Sequence, residues 1–155
     1  MTALRAIYLL ALVLWVGSIL FFSFVGAPAI FKTLPREQAG DVVGTIFPKY
    51  YAIGTICGLA ALGSLFALSR GGRVPLVAAC VLVAMIGVNL YAQVVVQKQV
   101  QAVKAQLRIV QGGGEDVKPV RERFSRLHAF SMILNLIVLS GGLFVIVWTA
   151  SSLTF

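Results

Sequence analysis

Acidic residues are scarce in this chain. Glu37, Asp41, Glu115, Asp116 and Glu122 are its only carboxylates in 155 residues, and none falls within a long apolar run. Proton coupling through carboxylates would need at least one inside the membrane, so that mechanism is not expected here. His128 is the single histidine. Haem commonly takes His as an axial ligand, so it would require a dimer or a methionine such as Met132 to complete the set. Cysteine is limited to Cys57 and Cys80. At a helical rise of about 1.5 Å per residue, Cys57 lies about 12 Å from the inner face and Cys80 about 9 Å from the outer one. That offset argues against a disulfide, whose Cα atoms must come within about 7 Å. It also argues against a soft-metal site built from Cys57, Cys80, Met85, Met132 and His128, and both thiols read as small apolar fillers. Gly112-Gly113-Gly114 follows a helical pattern rather than a strand, so it is not a phosphate loop. No catalytic residue, resident metal or cofactor is expected, and the chain reads as a non-enzyme.

Apolar residues are plentiful. They make up 59% of the chain against 12% charged, where a soluble domain is roughly half apolar and about a quarter charged. Four runs suffice for the roughly 20 residues that cross a hydrocarbon core: about 4–31, 50–68, 74–96 and 127–149. In lipid each must be a helix, because an isolated strand cannot satisfy its own backbone groups. The expectation is an all-α membrane protein, residues 1–155 forming one antiparallel four-transmembrane-helix bundle with a C-terminal tail of a few residues. Small residues at Val25-Gly26-Ala27 offer a signal-cleavage alternative for the first run. However, Pro28 would follow the cut, and the run exceeds the 7–15 apolar residues usual in a signal peptide.

The charges set an orientation. Of 13 Lys and Arg residues, ten fall in the first and third loops: Lys32, Arg36 and Lys49, then Lys98, Lys104, Arg108, Lys118, Arg121, Arg123 and Arg126. Only Arg5, Arg70 and Arg73 lie elsewhere. Positive loops stay inside, so loops one and three should be cytoplasmic and both termini outside. The net charge of +8 caps apolar helices instead of forming one basic face. Its expected partners are the lipid bilayer and anionic head groups at the cytoplasmic face, each cation worth about 1 kcal/mol near the surface. No nucleic acid is expected. Trp15, Tyr50, Tyr51, Tyr91 and Trp148 are candidate interface anchors, with Tyr50, Tyr51 and Trp148 nearest the span ends.

Two loops carry patterns of their own. After Pro35, Ala39, Val42, Val43, Ile46 and Phe47 recur at helical spacing. This predicts an amphipathic helix over about 36–47, lying in the head-group plane and stopped near Pro48. Its role is to join two spans, or alternatively to gate an inner opening. Over about 97–126, Val96, Val100, Val103, Leu107 and Val110 form one apolar stripe, and Val117, Val120, Phe124 and Leu127 form another. The two stripes predict a cytoplasmic helical hairpin between spans 3 and 4. A homo-oligomeric contact through the same valines is the alternative. The short loop Ser69–Arg73 makes spans 2 and 3 neighbours.

Polar residues inside the spans give the candidate site. Arg121, Phe124, Ser125, His128, Ser131 and Asn135 share one helix face, as do Asn89, Gln93, Gln97 and Gln101 on another. Depth counting sets Ser23, Thr55, Asn89 and Asn135 in one inner layer, with His128 and Gln93 at its mouth. Pro28 should free the Phe24 carbonyl nearby. Ser23, Asn89, Gln93, His128, Ser131 and Asn135 are thus the candidate ligand-binding set. They could equally serve only as interhelical ties, worth about 0.6 kcal/mol each. Gly54 and Gly58 form a Gly-x-x-x-Gly pair for close helix packing, within the chain or between copies.

Two local patterns carry a resemblance. One is Leu34-Pro35-Arg36-Glu37 with Ala39-Gly40 and Phe47-Pro48-Lys49-Tyr50-Tyr51, after Ala27-Pro28-Ala29-Ile30-Phe31. The other is Phe124-Ser125-Arg126-Leu127-His128 with Ser131 and Asn135. Together they resemble the bacterial domain of unknown function 4149 family, related to eukaryotic transmembrane protein 205. The resemblance implies a four-span protein of the bacterial inner membrane, and for the eukaryotic relative an association with resistance to platinum drugs. It supplies no catalytic residues. Copper-resistance membrane domains look similar in the first span, but a second His is missing here. The functional expectation is a protein that binds or moves a small ligand or cation through an inward-facing polar cavity. The alternative is a non-catalytic membrane scaffold or assembly subunit, and a haem or soft-metal role comes behind both.

Overall fold

Proline and charge mark where the helices begin. In the computed structural model, which describes residues 1–69, 75–113 and 116–152, Leu34 is extended (φ −115°, ψ 149°) because it precedes Pro35, and a new helix starts at Arg36. Pro75 stands just before the next helix, and Pro119 lies in the first turn of the last. The helices are α1 (Thr2–Thr33), α2 (Arg36–Leu68), α3 (Leu76–Tyr91 continuing through Ala92–Val96 and Gln97–Gly113) and α4 (Lys118–Ser152). Among the described residues there is no strand. All four helices are long and apolar enough to cross a membrane. Most of the loop after Ser69, and the turn that closes the triple glycine, lie outside the described residues.

Successive helices contact one another, and α4 returns to α1. The shared core contains Leu12, Trp15 and Ile19 from α1, Tyr51 and Ala61 from α2, Leu82 and Met85 from α3, and Val138 and Val145 from α4. The outside is as apolar as the inside: Leu10, Val13, Phe24, Ile56, Leu59, Leu76, Met132, Leu136 and Val147 are all more than half exposed. Soluble proteins rarely expose contiguous apolar surface on this scale, whereas lipid requires it.

The second helix departs from expectation. Residues 36–47 do not form a separate helix in the head-group plane; α2 runs through Pro48 without a break for 33 residues. A proline removes one hydrogen bond and presses on the residue four earlier. Here that residue is Gly44, and Pro48 itself is exposed, so its ring does not have to be fitted into the core. The apolar face of this extension is buried in the protein instead, with Ala39 at 0% and Val43 at 5% exposure. At about 1.5 Å per residue α2 is about 50 Å long, well over the roughly 30 Å of hydrocarbon. Trp15, Tyr50 and Tyr51 are core residues too, not interface anchors.

Two segments wind more loosely than an α-helix, as single π turns at Phe22–Gly26 in α1 and Ala92–Val96 in α3. The first lies just ahead of Pro28, whose missing N–H frees the Phe24 carbonyl. The second includes Val94-Val95-Val96, β-branched residues that crowd a regular turn.

Candidate functional site

The polar residues fall into two groups. The first ties the helices together. Asn89, 3% exposed on α3, donates through Nδ2 to the Tyr51 carbonyl at 2.9 Å and to Thr55 Oγ1 at 2.9 Å, both on α2. Thr55 in turn donates to the Tyr51 carbonyl at 3.0 Å. Gly54 makes room for this arrangement, since a Cβ there would lie 2.7 Å from Trp15 Nε1 and 3.0 Å from Asn89 Oδ1. One turn further on, a Cβ at Gly58 would lie 2.7 Å from both Ile86 and the Trp15 ring. The Gly54/Gly58 face is therefore filled from within the chain, by α1 and α3. One turn before Gly54 on α2, the Tyr50 hydroxyl donates to Asn135 Oδ1 on α4 at 3.2 Å. Tyr50 and Tyr51 belong to a ring cluster with Phe22 and Phe47, centroids 5.3 to 6.1 Å apart.

The other candidate residues take lesser parts in this layer. Ser131 is buried and donates to the carbonyl of His128, within its own helix, at 2.8 Å. The half-buried His128 ring lies parallel to Phe124, centroids 6.4 Å apart. Gln93 is half-buried within the second π turn. Ser23 stands apart, exposed on the outside of the first π turn. Depth counting set its level, but a π turn changes which way a residue points.

The second group forms a groove at the charged end, between the start of α2 and the end of α3. It has a volume of about 470 Å³ and is lined by Asp41, Gly44, Thr45, Gln101, Lys104, Ala105 and Arg108. Asp41 Oδ1 accepts hydrogen bonds from both Lys104 and Arg108. The Lys104 hydrogen bond is the largest cause holding the Asp41 carboxyl below its usual pKa; desolvation opposes it, and the charges of Lys104 and Arg108 with the Arg108 hydrogen bond add to the lowering. Gly40 and Gly44 admit the α3 side chains: a Cβ on Gly44 would lie 3.3 Å from Gln101 Nε2, and one on Gly40 would lie 3.7 Å from Lys104 Nζ. A second groove of about 230 Å³ lies at the opposite end, lined mostly by apolar residues with Arg5, Tyr8 and Thr149. The Tyr8 hydroxyl and Thr149 Oγ1 are 3.0 Å apart there. None of the six candidate ligand-binding residues lines either groove.

Gln97 joins the two groups. It is 8% exposed, and its Nε2 has no hydrogen-bond partner. It shares a helix face with Gln101, Lys104 and Arg108, at steps of four, three and four. Sequence reading placed Gln97 in the polar stripe but gave no reason to separate it from its neighbours. The Asp41 pairing was invisible in sequence, because its partners lie 63 and 67 residues away. No cluster of His, Cys, Asp or Glu able to hold a metal occurs among the described residues.

A family model described as "Domain of unknown function (DUF4149)" matches residues 10–108. An uncharacterized protein of Aquifex aeolicus (strain VF5) is 51% identical over 51 residues, which is 33% of this chain and 37% of that protein. The chain thus matches little more than a third of that relative's length. No solved structure matches.

Proposed function

The chain belongs to the DUF4149 family, a domain of unknown function, and from that premise we propose a non-catalytic protein of the bacterial inner membrane that binds a small ligand at its cytoplasmic end. In this reading the four helices form an antiparallel bundle with both termini outside. The 97–113 segment and the start of α4 project into the cytoplasm as a hairpin. Val103, 2% exposed, would be its centre, and contacts between these two segments favour it. The ten-to-three division of the cations favours the orientation.

One observation carries the ligand-binding reading: the groove of about 470 Å³ between α2 and α3. Its size falls within the 300–1,000 Å³ typical of small-ligand sites. It replaces the polar layer as the proposed site, because Asn89 and Asn135 are engaged in bonds between helices. A thermal-shift screen of anions, cations and neutral metabolites on the purified protein tests it, with Arg108→Gln and Asn135→Ala in parallel. A ligand that binds the folded form raises its apparent stability by mass action. The expected ligand stabilises wild type and Asn135→Ala but not Arg108→Gln. If no compound separates wild type from Arg108→Gln, the binding reading fails and a scaffold role takes its place.

A further inference from the structure

We infer that the α2–α3 groove is an oxyanion site for a phosphate-type group, in which Asp41 occupies the ligand's place until the ligand arrives. The inference rests on the ligand-binding reading above and names the ligand's chemistry. Three observations converge on it.

The first is the donor inventory. Lys104 offers three N–H donors, Arg108 a planar fork of five and Gln101 a side-chain amide, and these residues line one groove. Against them the lining sets one carboxylate, Asp41, so the charged lining is two cations to one anion. Such a surplus of donors and positive charge suits phosphate or carboxylate oxygens, and the Arg fork matches a two-oxygen face. The second is the occupancy of Asp41. Both cations converge on the same oxygen, Oδ1. The cations are thus already drawn together around one oxyanion, and the carboxylate that holds them is 46% exposed at its side chain, with solvent to turn into when a stronger oxyanion takes its place. The third is Gln97. Its buried Nε2 has no acceptor, and a buried donor left unpaired is costly. It lies on the same face as Gln101, Lys104 and Arg108, one turn deeper than Gln101. Gln97 does not line the groove itself, so an oxygen of a bound group would become its acceptor only once the side chains above it part.

Two sources can present this chemistry at the membrane surface: the phosphate of an anionic lipid head group, or a free phosphate or phosphate ester from solution. The experiment separates them using the full chain. In neutral detergent, inorganic phosphate is titrated against chloride at matched ionic strength, with thermal stability as readout. In nanodiscs of phosphatidylcholine with or without phosphatidylglycerol, the phosphatidylglycerol retained on extraction is counted by native mass spectrometry. The variants are Arg108→Gln, Lys104→Gln, Gln97→Leu and Asp41→Asn. Loss of one charged donor should weaken the response about tenfold. Gln97→Leu should weaken it less, and Asp41→Asn should tighten it because the competing carboxylate is gone. Arg108 is 53% exposed, so its variant is expected to fold even if Lys104→Gln does not. A phosphate response following this order supports the inference with a soluble ligand; phosphatidylglycerol retention following it supports a lipid head group. If phosphate and phosphatidylglycerol act alike on all variants, or on none, the inference is overturned. Should a cation or neutral compound instead distinguish wild type from Arg108→Gln, the groove is still a ligand site and only its oxyanion chemistry is refuted.

Discussion

Replacing Gly58 with alanine tests the interlock at the centre of the protein. A methyl group at that position would meet Ile86 Cγ1 and Trp15 Cζ3, each 2.7 Å away. Trp15 is 1% exposed and Ile86 8%, so neither has free space to move into. Overpacking of this kind costs about 1–3 kcal/mol, while alanine returns at most about 1 kcal/mol of helix propensity. The net expectation is a loss of about 1 kcal/mol. Gly63 lies on the same helix with nothing within 4 Å of its would-be Cβ, so Gly63→Ala keeps the gain without the cost. The two variants should therefore differ by about 2 kcal/mol, or about 4–8 °C in Tm at the slope typical of chains this long. Thermal unfolding in one detergent, with both variants side by side, reads the difference. A Gly58→Ala protein as stable as Gly63→Ala would refute the interlock. Trp15→Phe withdraws the clashing ring atoms, so the double variant with Gly58→Ala should lose less than the sum of the single losses.

Further expectations follow from the ties and the groove. Asn89→Leu removes two interhelical hydrogen bonds at similar volume, and at about 0.6 kcal/mol each it should cost about 1 kcal/mol in the same unfolding assay. Tyr50→Phe removes the bond to Asn135 alone and should cost about half as much. The Asp41 carboxyl has a lowered pKa in the folded protein, so its link to Lys104 and Arg108 is complete above the unfolded value of about 3.9. It is lost as pH falls through the lower folded value. A spin-label distance between Thr45→Cys and Ala105→Cys should hold steady from neutral pH to about 4 and lengthen only below that; a change already at pH 6 would contradict the assignment. In a Cys57→Ala, Cys80→Ala background, a Gln106→Cys protein should react with an impermeant thiol reagent only after the cells are permeabilised, and labelling of intact cells would reverse the orientation.

The number of long apolar helices was legible because the bilayer demands about 20 apolar residues per crossing, and composition cannot disguise that. The small-residue pair at Gly54 and Gly58 was legible for a similar reason: only close approach makes use of two glycines one turn apart. The continuity of α2 was not. Pro48 reads as a stop in sequence, yet the helix runs through it, held by burial of Ala39, Val43 and Phe47 on one face. Tyr50 and Tyr51 look like interface aromatics by position, yet both are buried among the helices, at 9% and 1% exposure, a packing that sequence position does not reveal. Ser23 was assigned from depth alone, which ignores rotation through a π turn. The groove escaped altogether. It pairs residues on two different helices, and the single carboxylate that organises it has nothing unusual about its local sequence.

The π turn at Ala92–Val96 also determines where this chain can change length. Eight residues separate Asn89 from Gln97, which in an unbroken α-helix would set them roughly 80° apart. Both are nevertheless buried, at 3% and 8% exposure. The looser turn takes up one surplus residue, so the two behave as if seven apart and only about 20° out of line. Deleting one residue from 92–96 would then close the helix into regular α geometry and leave the segments above and below facing as before. The same deletion a turn later, within 97–101, has no slack to draw on. It would swing Lys104 and Arg108 by roughly 100° away from Gly40, Asp41 and Gly44. Homologous chains one residue shorter should therefore carry their gap in the π turn, while the stretch from Gln97 to Arg108 keeps a constant length.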